Sequence, residues 1–159
     1  MIGRDVELTA TSEPRAAPPQ GDILALGYGE HLLIWSLRRL ARQGYPCPLV
    51  DREFLDACGA DGVETLATFR AFLGLLAYGG RRRLCVGHPG CLRLTGDERR
   101  LLALLAVAQT EDASWLDAHL CWLVRVELRP RLAAAARALG AALAAHDLRL
   151  PLPRLGSAR

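Results

Sequence analysis

Hydrophobic residues recur at helical spacing along most of this 159-residue chain. Leu33, Leu37 and Leu40 show the pattern, because positions i, i+4 and i+7 lie on one face of a helix. The predicted helices cover residues 22–43, 48–58, 61–78, 95 to a turn near 110, 113–127 and 130–146. The sequence therefore predicts an all-α protein, a compact bundle of five to six helices.

Capping and breaking residues define several ends of these helices. Asp61 and Thr95 each stand three residues before a glutamate, which is the spacing of a capping box. The first helix can start at Asp22 or restart near Gly27 or Gly29, because glycines weaken the first turns. Its last turns contain three arginines, which we expect to complement the helix dipole: Arg38, Arg39 and Arg42.

Both ends of the chain lack a helical period. Residues 1–21 contain prolines and glycines among charged and small residues, and residues 149–159 contain two more prolines. We predict a flexible N-terminal tail over 1–21, a single helical domain over 22–148 and a C-terminal tail over 149–159. A chain of this length buries roughly 70% of its unfolded surface, which is enough for a core without disulfides or metals.

One long stretch, residues 81–98, interrupts the helices. It contains Cys85, His88 and Cys91 at Cys-x-x-His-x-x-Cys spacing, with glycine and proline between them. These three side chains are candidate ligands for Zn²⁺ or iron, and Zn²⁺ is the candidate cofactor. A tetrahedral site also needs a fourth, remote ligand from Cys47, Cys58, Cys121 or His119. In the competing interpretation, both cysteines are apolar fillers that anchor a loop.

The positive charge of the chain is concentrated in the same region. Residues 80–100 contain six arginines and two acids, whereas the whole chain has a net charge of +3. Guanidinium groups bind carboxylates and phosphates through paired hydrogen bonds. The candidate partner-binding residues are therefore Arg81, Arg82, Arg83 and Arg93.

Nucleic-acid binding through Arg81–Arg83 is a weaker alternative. The aromatic residues lie in helical stripes and not among these arginines, and the domain is not strongly basic. Residues 48–58 and 61–78 have the lengths of a helix-turn-helix, but any αα-hairpin does too. The second of these helices offers few polar side chains for base contacts: Glu64, Thr65, Thr68 and Arg70.

Cysteine usage and missing motifs define the expected compartment and chemistry. Five cysteines without an apolar N-terminal leader indicate a reducing compartment, and we predict a cytoplasmic protein. No run reaches the ~18 uninterrupted apolar residues of a membrane span. Motifs for phosphate loops, dinucleotide folds, serine nucleophiles and zinc proteases are absent from the sequence. We therefore expect neither catalysis nor membrane contact.

Two segments show a family resemblance. Residues 35–40 read Trp-Ser-Leu-Arg-Arg-Leu, and residues 91–102 read Cys-Leu-Arg-Leu-Thr-Gly-Asp-Glu-Arg-Arg-Leu-Leu. Together they resemble small all-helical bacterial proteins of alphaproteobacterial type, which form a domain of unknown function and have cysteines just before a Thr-x-x-Glu helix start. The resemblance covers about residues 28–126, with Cys91 as the matching cysteine. It implies a helical fold and no activity.

These observations predict a protein-interaction or regulatory module without catalysis. Its contact surface would comprise residues 79–94 and the first turn of the helix that follows. Arg81–Arg83 and Arg93 would bind an acidic surface of a protein partner. The metal-binding and nucleic-acid-binding alternatives remain open at this point.

Overall fold

The computed structural model describes residues 23–154, and these residues form an all-α bundle. The predicted fold class is confirmed. The predicted N-terminal tail lies outside the described residues, as do residues 155–159 of the predicted C-terminal tail. The helices are α1 (Tyr28–Gln43), α2 (Pro48–Cys58), α3 (Gly62–Gly79), α4 (Gly96–Ala108), α5 (Ala113–Leu123) and α6 (Arg129–Ala144).

Local signals placed most helix starts within a residue or two. Helix α1 begins after Gly27, whose backbone N–H donates to Glu30 Oε2 at 2.8 Å. Helix α2 has Pro48 at its first position, where the missing N–H costs nothing. Helix α4 begins after Thr95 with both bonds of the predicted capping box.

Asp61 is the N-cap residue of α3, as predicted, but the predicted capping box does not form. Asp61 lies in a single 3₁₀ turn, Gly59–Asp61, and its side chain makes no capping hydrogen bond. Its carboxylate instead lies 3.1 Å from His146 Nε2, near the end of α6. A methyl group on Gly62 would come within 2.5 Å of the Phe54 carbonyl oxygen, so the close α2–α3 turn requires glycine.

Helix α5 ends four residues earlier than its period predicts. Val124 turns into extended backbone and pairs with Gly80 in an isolated antiparallel bridge. Arg81 N–H donates to the Leu123 carbonyl at 3.1 Å, and Arg125 N–H donates to the Gly79 carbonyl at 3.1 Å. These long-range hydrogen bonds satisfy backbone groups that a longer α5 would otherwise have satisfied.

The core forms where α6 packs against α3, α4 and α5. Helix α6 contributes Leu132, Ala136, Leu139 and Leu143, all fully buried, and its other alanines allow neighbouring helices to approach. Helix α4 is central, as its sequence predicts, because both of its sides contact other helices. Each fully buried leucine contributes about 1.5–3 kcal/mol to folding.

The chain after α6 returns to the end of α4. Gln109 Nε2 donates to the carbonyls of Gly140 and Leu148, and Leu150 N–H donates to Gln109 Oε1 at 2.8 Å. Leu148 and Leu150 are buried. Among the described helices, none is long and apolar enough to cross a membrane.

Candidate functional site

The α3–α4 loop (residues 80–95) is closed around the side chain of Arg38 from α1. Arg38 Nη1 donates to the carbonyl oxygens of His88 at 3.0 Å and Cys91 at 2.6 Å. Its Nη2 donates to the carbonyl oxygen of Arg93 at 2.7 Å. One buried guanidinium therefore holds the loop at three points, 50–55 residues away in sequence.

Glu98 neutralises this guanidinium from the first turn of α4. Its two carboxylate oxygens accept from Arg38 Nε at 2.8 Å and Nη2 at 2.9 Å, and the two side chains are 1% and 0% exposed. The carboxylate also accepts from the backbone N–H groups of Gly87 and Thr95. Burial alone would raise the pKa of Glu98, but these hydrogen bonds, first that from Arg38, lower it.

Asp97 fixes the opposite end of the loop. It accepts a paired contact from Arg82 at 2.5 and 2.8 Å, a bond from Arg100 at 3.0 Å and the Cys85 backbone N–H at 2.7 Å. Asp97 is 4% exposed, whereas both arginines are more than half exposed. The hydrogen bond from Arg82 is the main reason that the pKa of Asp97 falls to about 2.

Thr95 completes what we call the polar cluster, formed by Arg38, Thr95, Asp97 and Glu98. Its Oγ1 accepts from the backbone N–H of Glu98 at 3.1 Å and donates to the Cys85 carbonyl at 2.6 Å. The same hydroxyl therefore caps α4 and anchors the loop.

Replacing Thr95 by Ala should lower the free energy of unfolding by about 1–2 kcal/mol, because an N-cap and a loop anchor are lost together. Urea unfolding followed by circular dichroism measures the change. Thr95→Ser keeps the hydroxyl and should cost less than half as much. An equal loss for the two variants would contradict the capping role.

The predicted metal ligands Cys85, His88 and Cys91 do not converge. Both cysteines are exposed, and His88 Nδ1 accepts from the Gly90 N–H at 3.0 Å. Between residues 23 and 154, no group of three or more His, Cys, Asp or Glu side chains is arranged to hold a metal ion. The cation that the loop surrounds is the guanidinium of Arg38, so the structure lends the metal alternative no support.

The four predicted partner-binding arginines differ in their contacts. Arg82 is bound to Asp97, so its guanidinium is already engaged within the chain. Arg81, Arg83 and Arg93 are exposed, and none has a carboxylate partner within the described part of the chain. The loop therefore displays three arginines that no described carboxylate neutralises, on a backbone fixed from inside.

An open groove lies beside these arginines, between α1, α3 and the loop; we call it the α1–α3 groove. Its volume is about 810 Å³. The charged residues of the described part of the chain that line it are three arginines: Arg70, Arg82 and Arg83. Arg70 is held with its guanidinium carbon 3.3 Å from the centre of the Tyr45 ring. The apolar lining includes Leu37, Leu40, Leu73, Leu76, Ala77 and Leu84.

A second cavity of about 470 Å³ shares Arg82 with the groove and includes Arg100, His119 and Trp122. Both arginines are paired with Asp97, which neutralises part of their charge. Trp122 is 78% exposed. Burial lowers the pKa of His119, whose side chain is half-buried.

The polar side chains of α3 are unsuited to reading bases. Thr65 is buried, Thr68 Oγ1 donates to the Glu64 carbonyl in its own helix, and Arg70 covers Tyr45. The structure therefore lends no support to a helix-turn-helix that reads bases through α3.

Sequence reasoning missed the central role of Arg38. It assigned this residue to the helix dipole together with Arg39 and Arg42, although the structure buries Arg38 completely. One signal was present: Arg38 lies four residues after Ile34 and beside Leu37, on the face that packs inward. Comparison of the chain with protein-family models, curated proteins and solved structures finds no match, so the resemblance to a bacterial domain family stays a prediction.

Proposed function

We propose that this chain is a non-catalytic protein-interaction module that binds an acidic surface of a protein partner through the α3–α4 loop. The observation that supports it is the contrast within the loop. Its backbone is fixed by Arg38, Asp97 and Glu98, while Arg81, Arg83 and Arg93 carry charge that no described carboxylate neutralises.

A fixed loop favours recognition for an energetic reason. Binding normally loses affinity because loops and side chains must become ordered. A loop that is already ordered in the folded protein loses no further entropy of this kind when a partner binds. Arginines on such a loop offer planar donors at defined positions, which suits paired carboxylates better than a flexible basic tail would.

We place the protein in the cytoplasm as part of the same proposal. Its five cysteines are free, and Cys85 and Cys91 are exposed beside the proposed contact surface. Exposed free thiols persist in reducing compartments, and glutathione keeps them reduced there.

A charge-reversal experiment tests the interaction. The loop variant Arg81→Glu, Arg83→Glu and Arg93→Glu is compared with a matched variant that reverses three exposed arginines elsewhere, namely Arg42, Arg131 and Arg137. Proteins retained from a bacterial lysate by the wild-type chain are quantified by mass spectrometry. We expect acidic proteins to lose at least about tenfold in recovery with the loop variant only, equal to about 1.4 kcal/mol.

The two triple variants have the same net charge, so a general electrostatic effect would weaken both equally. Melting temperatures within a few degrees of the wild type show that both are folded. Equal recovery with the loop variant and with the matched variant would refute the proposed contact surface.

A further inference from the structure

The α1–α3 groove has an apolar floor and an entirely cationic set of charged lining residues. Leucines from α1, from α3 and from the loop meet along it, and among residues 23–154 no carboxylate lines it. A bound segment would therefore present apolar side chains to the floor. Charged groups at its edge would face only arginines.

The groove is open to solvent rather than enclosed, which restricts the class of occupant. An acyl chain laid there would keep much of its apolar surface in water. An amphipathic helix places apolar residues at i, i+3, i+4 and i+7 against the leucines and turns its polar face outward. The open shape therefore favours a helix over a lipid chain.

The arginines at the edge define the charge of that helix. Arg70 is fixed over Tyr45 and Arg82 is fixed by Asp97, whereas Arg83 has no ion-pair partner among residues 23–154. Glutamates or aspartates on the flank of a bound helix would complement these guanidinium groups, and lysines would be repelled.

The groove is also formed in advance. Leu84 contributes one wall, and the backbone of the next residue, Cys85, is held at both polar groups: its N–H donates to Asp97 and its carbonyl accepts from Thr95. The opposite walls are the helices α1 and α3 themselves. A preformed groove avoids the reorganisation cost that weakens many helix-binding surfaces.

We propose that the α1–α3 groove binds an amphipathic helix of the protein partner, with acidic residues on the flank that faces Arg70 and Arg83. This inference rests on the proposed function, because the helix in the groove would belong to the same protein partner that binds the α3–α4 loop. It adds the chemistry of that segment, which is a leucine-type apolar stripe bordered by carboxylates.

A displayed library of short helical peptides tests this directly. Apolar residues are fixed at i, i+3, i+4 and i+7, and the flanking positions vary among Glu, Gln and Lys. Selection on the full-length protein should enrich Glu at the flanks at least tenfold over Lys. Enrichment of Lys, or of no sequence above background, overturns the proposal.

Gly74 provides a matched pair of variants for locating the bound peptide. It lines the groove in the middle of α3, and a methyl group added there meets no atom within 4 Å. Gly74→Trp should fill the groove and weaken a selected peptide at least tenfold. Gly74→Ala should leave affinity unchanged and should not lower the melting temperature, because alanine is the better helix former.

Reversal of one edge charge tests the polarity of the groove. Arg83→Glu should weaken the binding of Glu-flanked peptides and strengthen the binding of Lys-flanked ones, as measured by fluorescence anisotropy.

The Gly74 pair also has an outcome that contradicts the proposal. Equal effects of Gly74→Trp and Gly74→Ala on the affinity of a selected peptide would show that the peptide binds elsewhere.

Other occupants give different results. Palmitate binding that Gly74→Trp abolishes, without peptide enrichment, would assign the groove to a lipid. Dimerisation in sedimentation that Gly74→Trp abolishes would assign it to a second copy. Binding of a peptide of residues 1–22 that Gly74→Trp abolishes, without enrichment of any library peptide, would assign the groove to the chain's own N-terminal segment. Each of these overturns the proposal.

Failure of the groove can be distinguished from failure of the loop surface. Protein recovery that persists with Gly74→Trp and is lost with the loop triple variant would refute the groove and retain the proposed function. Loss with neither variant would refute both.

Discussion

Replacement of Arg38 by Met should lower the free energy of unfolding by about 3–5 kcal/mol, because removing one member of a buried ion pair leaves the other charge uncompensated. Glu98 would remain 0% exposed with no cation beside it. The carbonyls of His88, Cys91 and Arg93 would also lose their donor. Urea unfolding followed by circular dichroism and by tryptophan fluorescence measures the loss.

Arg42→Met is the matched control for this substitution. Arg42 is exposed near the end of the same helix, so the same change should alter stability by less than about 0.5 kcal/mol. If Arg38→Met lowers the free energy of unfolding by less than about 1.5 kcal/mol, the buried Arg38–Glu98 pair is not what holds the loop in place.

A double variant separates the ion pair from the loop contacts. Arg38→Met with Glu98→Leu removes both charges, so it should cost about 0.5–3 kcal/mol less than the sum of the two single variants. The double variant should still be less stable than the wild type, because the loop carbonyls and the N–H groups of Gly87 and Thr95 lose their partners.

Acid should remove the contribution of Asp97 within a defined range of pH. Its folded pKa of about 2 lies below the ordinary 3.8, because Arg82, the Cys85 N–H and Arg100 all stabilise the ionised form. The contribution is therefore complete above about pH 4 and is lost as the pH falls through about 2. We expect about 1–2 kcal/mol, since both arginines are more than half exposed and partly screened.

The difference in stability between the wild type and Asp97→Asn isolates this contribution. The two proteins should differ by about 1–2 kcal/mol at pH 6 and converge near pH 2, as measured by urea unfolding at each pH. Asp117→Asn is the control, because Asp117 is exposed on α5 and forms no salt bridge within residues 23–154. A pH-independent difference for Asp97→Asn would show that the carboxylate charge is not what stabilises the loop.

These two predictions connect stability to the proposed function. The charged members of the polar cluster, Arg38, Asp97 and Glu98, are buried, whereas the arginines proposed to bind a partner lie on the outer side of the loop. A variant of Arg38 should therefore weaken partner binding by disordering the surface. A variant of Arg83 should weaken binding and leave stability unchanged, and the pair of measurements distinguishes the two roles.

The helices were predictable because their signals are local. The Thr95–Glu98 spacing predicted the start of α4, and Pro48 predicted the start of α2, since each satisfies or removes backbone donors within one turn. Asp61 shows the limit of such signals. The spacing between Asp61 and Glu64 is that of a capping box. The Asp61 carboxylate nevertheless makes no capping bond and lies against His146, which is 85 residues away along the chain.

By itself, the sequence determined an all-α bundle, the approximate positions of its helices and a basic interruption between α3 and α4. Only the tertiary structure decided what that interruption does. Cys85, His88 and Cys91 have the spacing of a metal site, but their backbone carbonyls and N–H groups, and not their side chains, make the inward bonds. Their partners, Arg38 and Asp97, lie 50 and 12 residues away along the chain from His88 and Cys85. Spacing along a chain describes contacts within a turn or two, whereas burial of a charge depends on every element that packs over it.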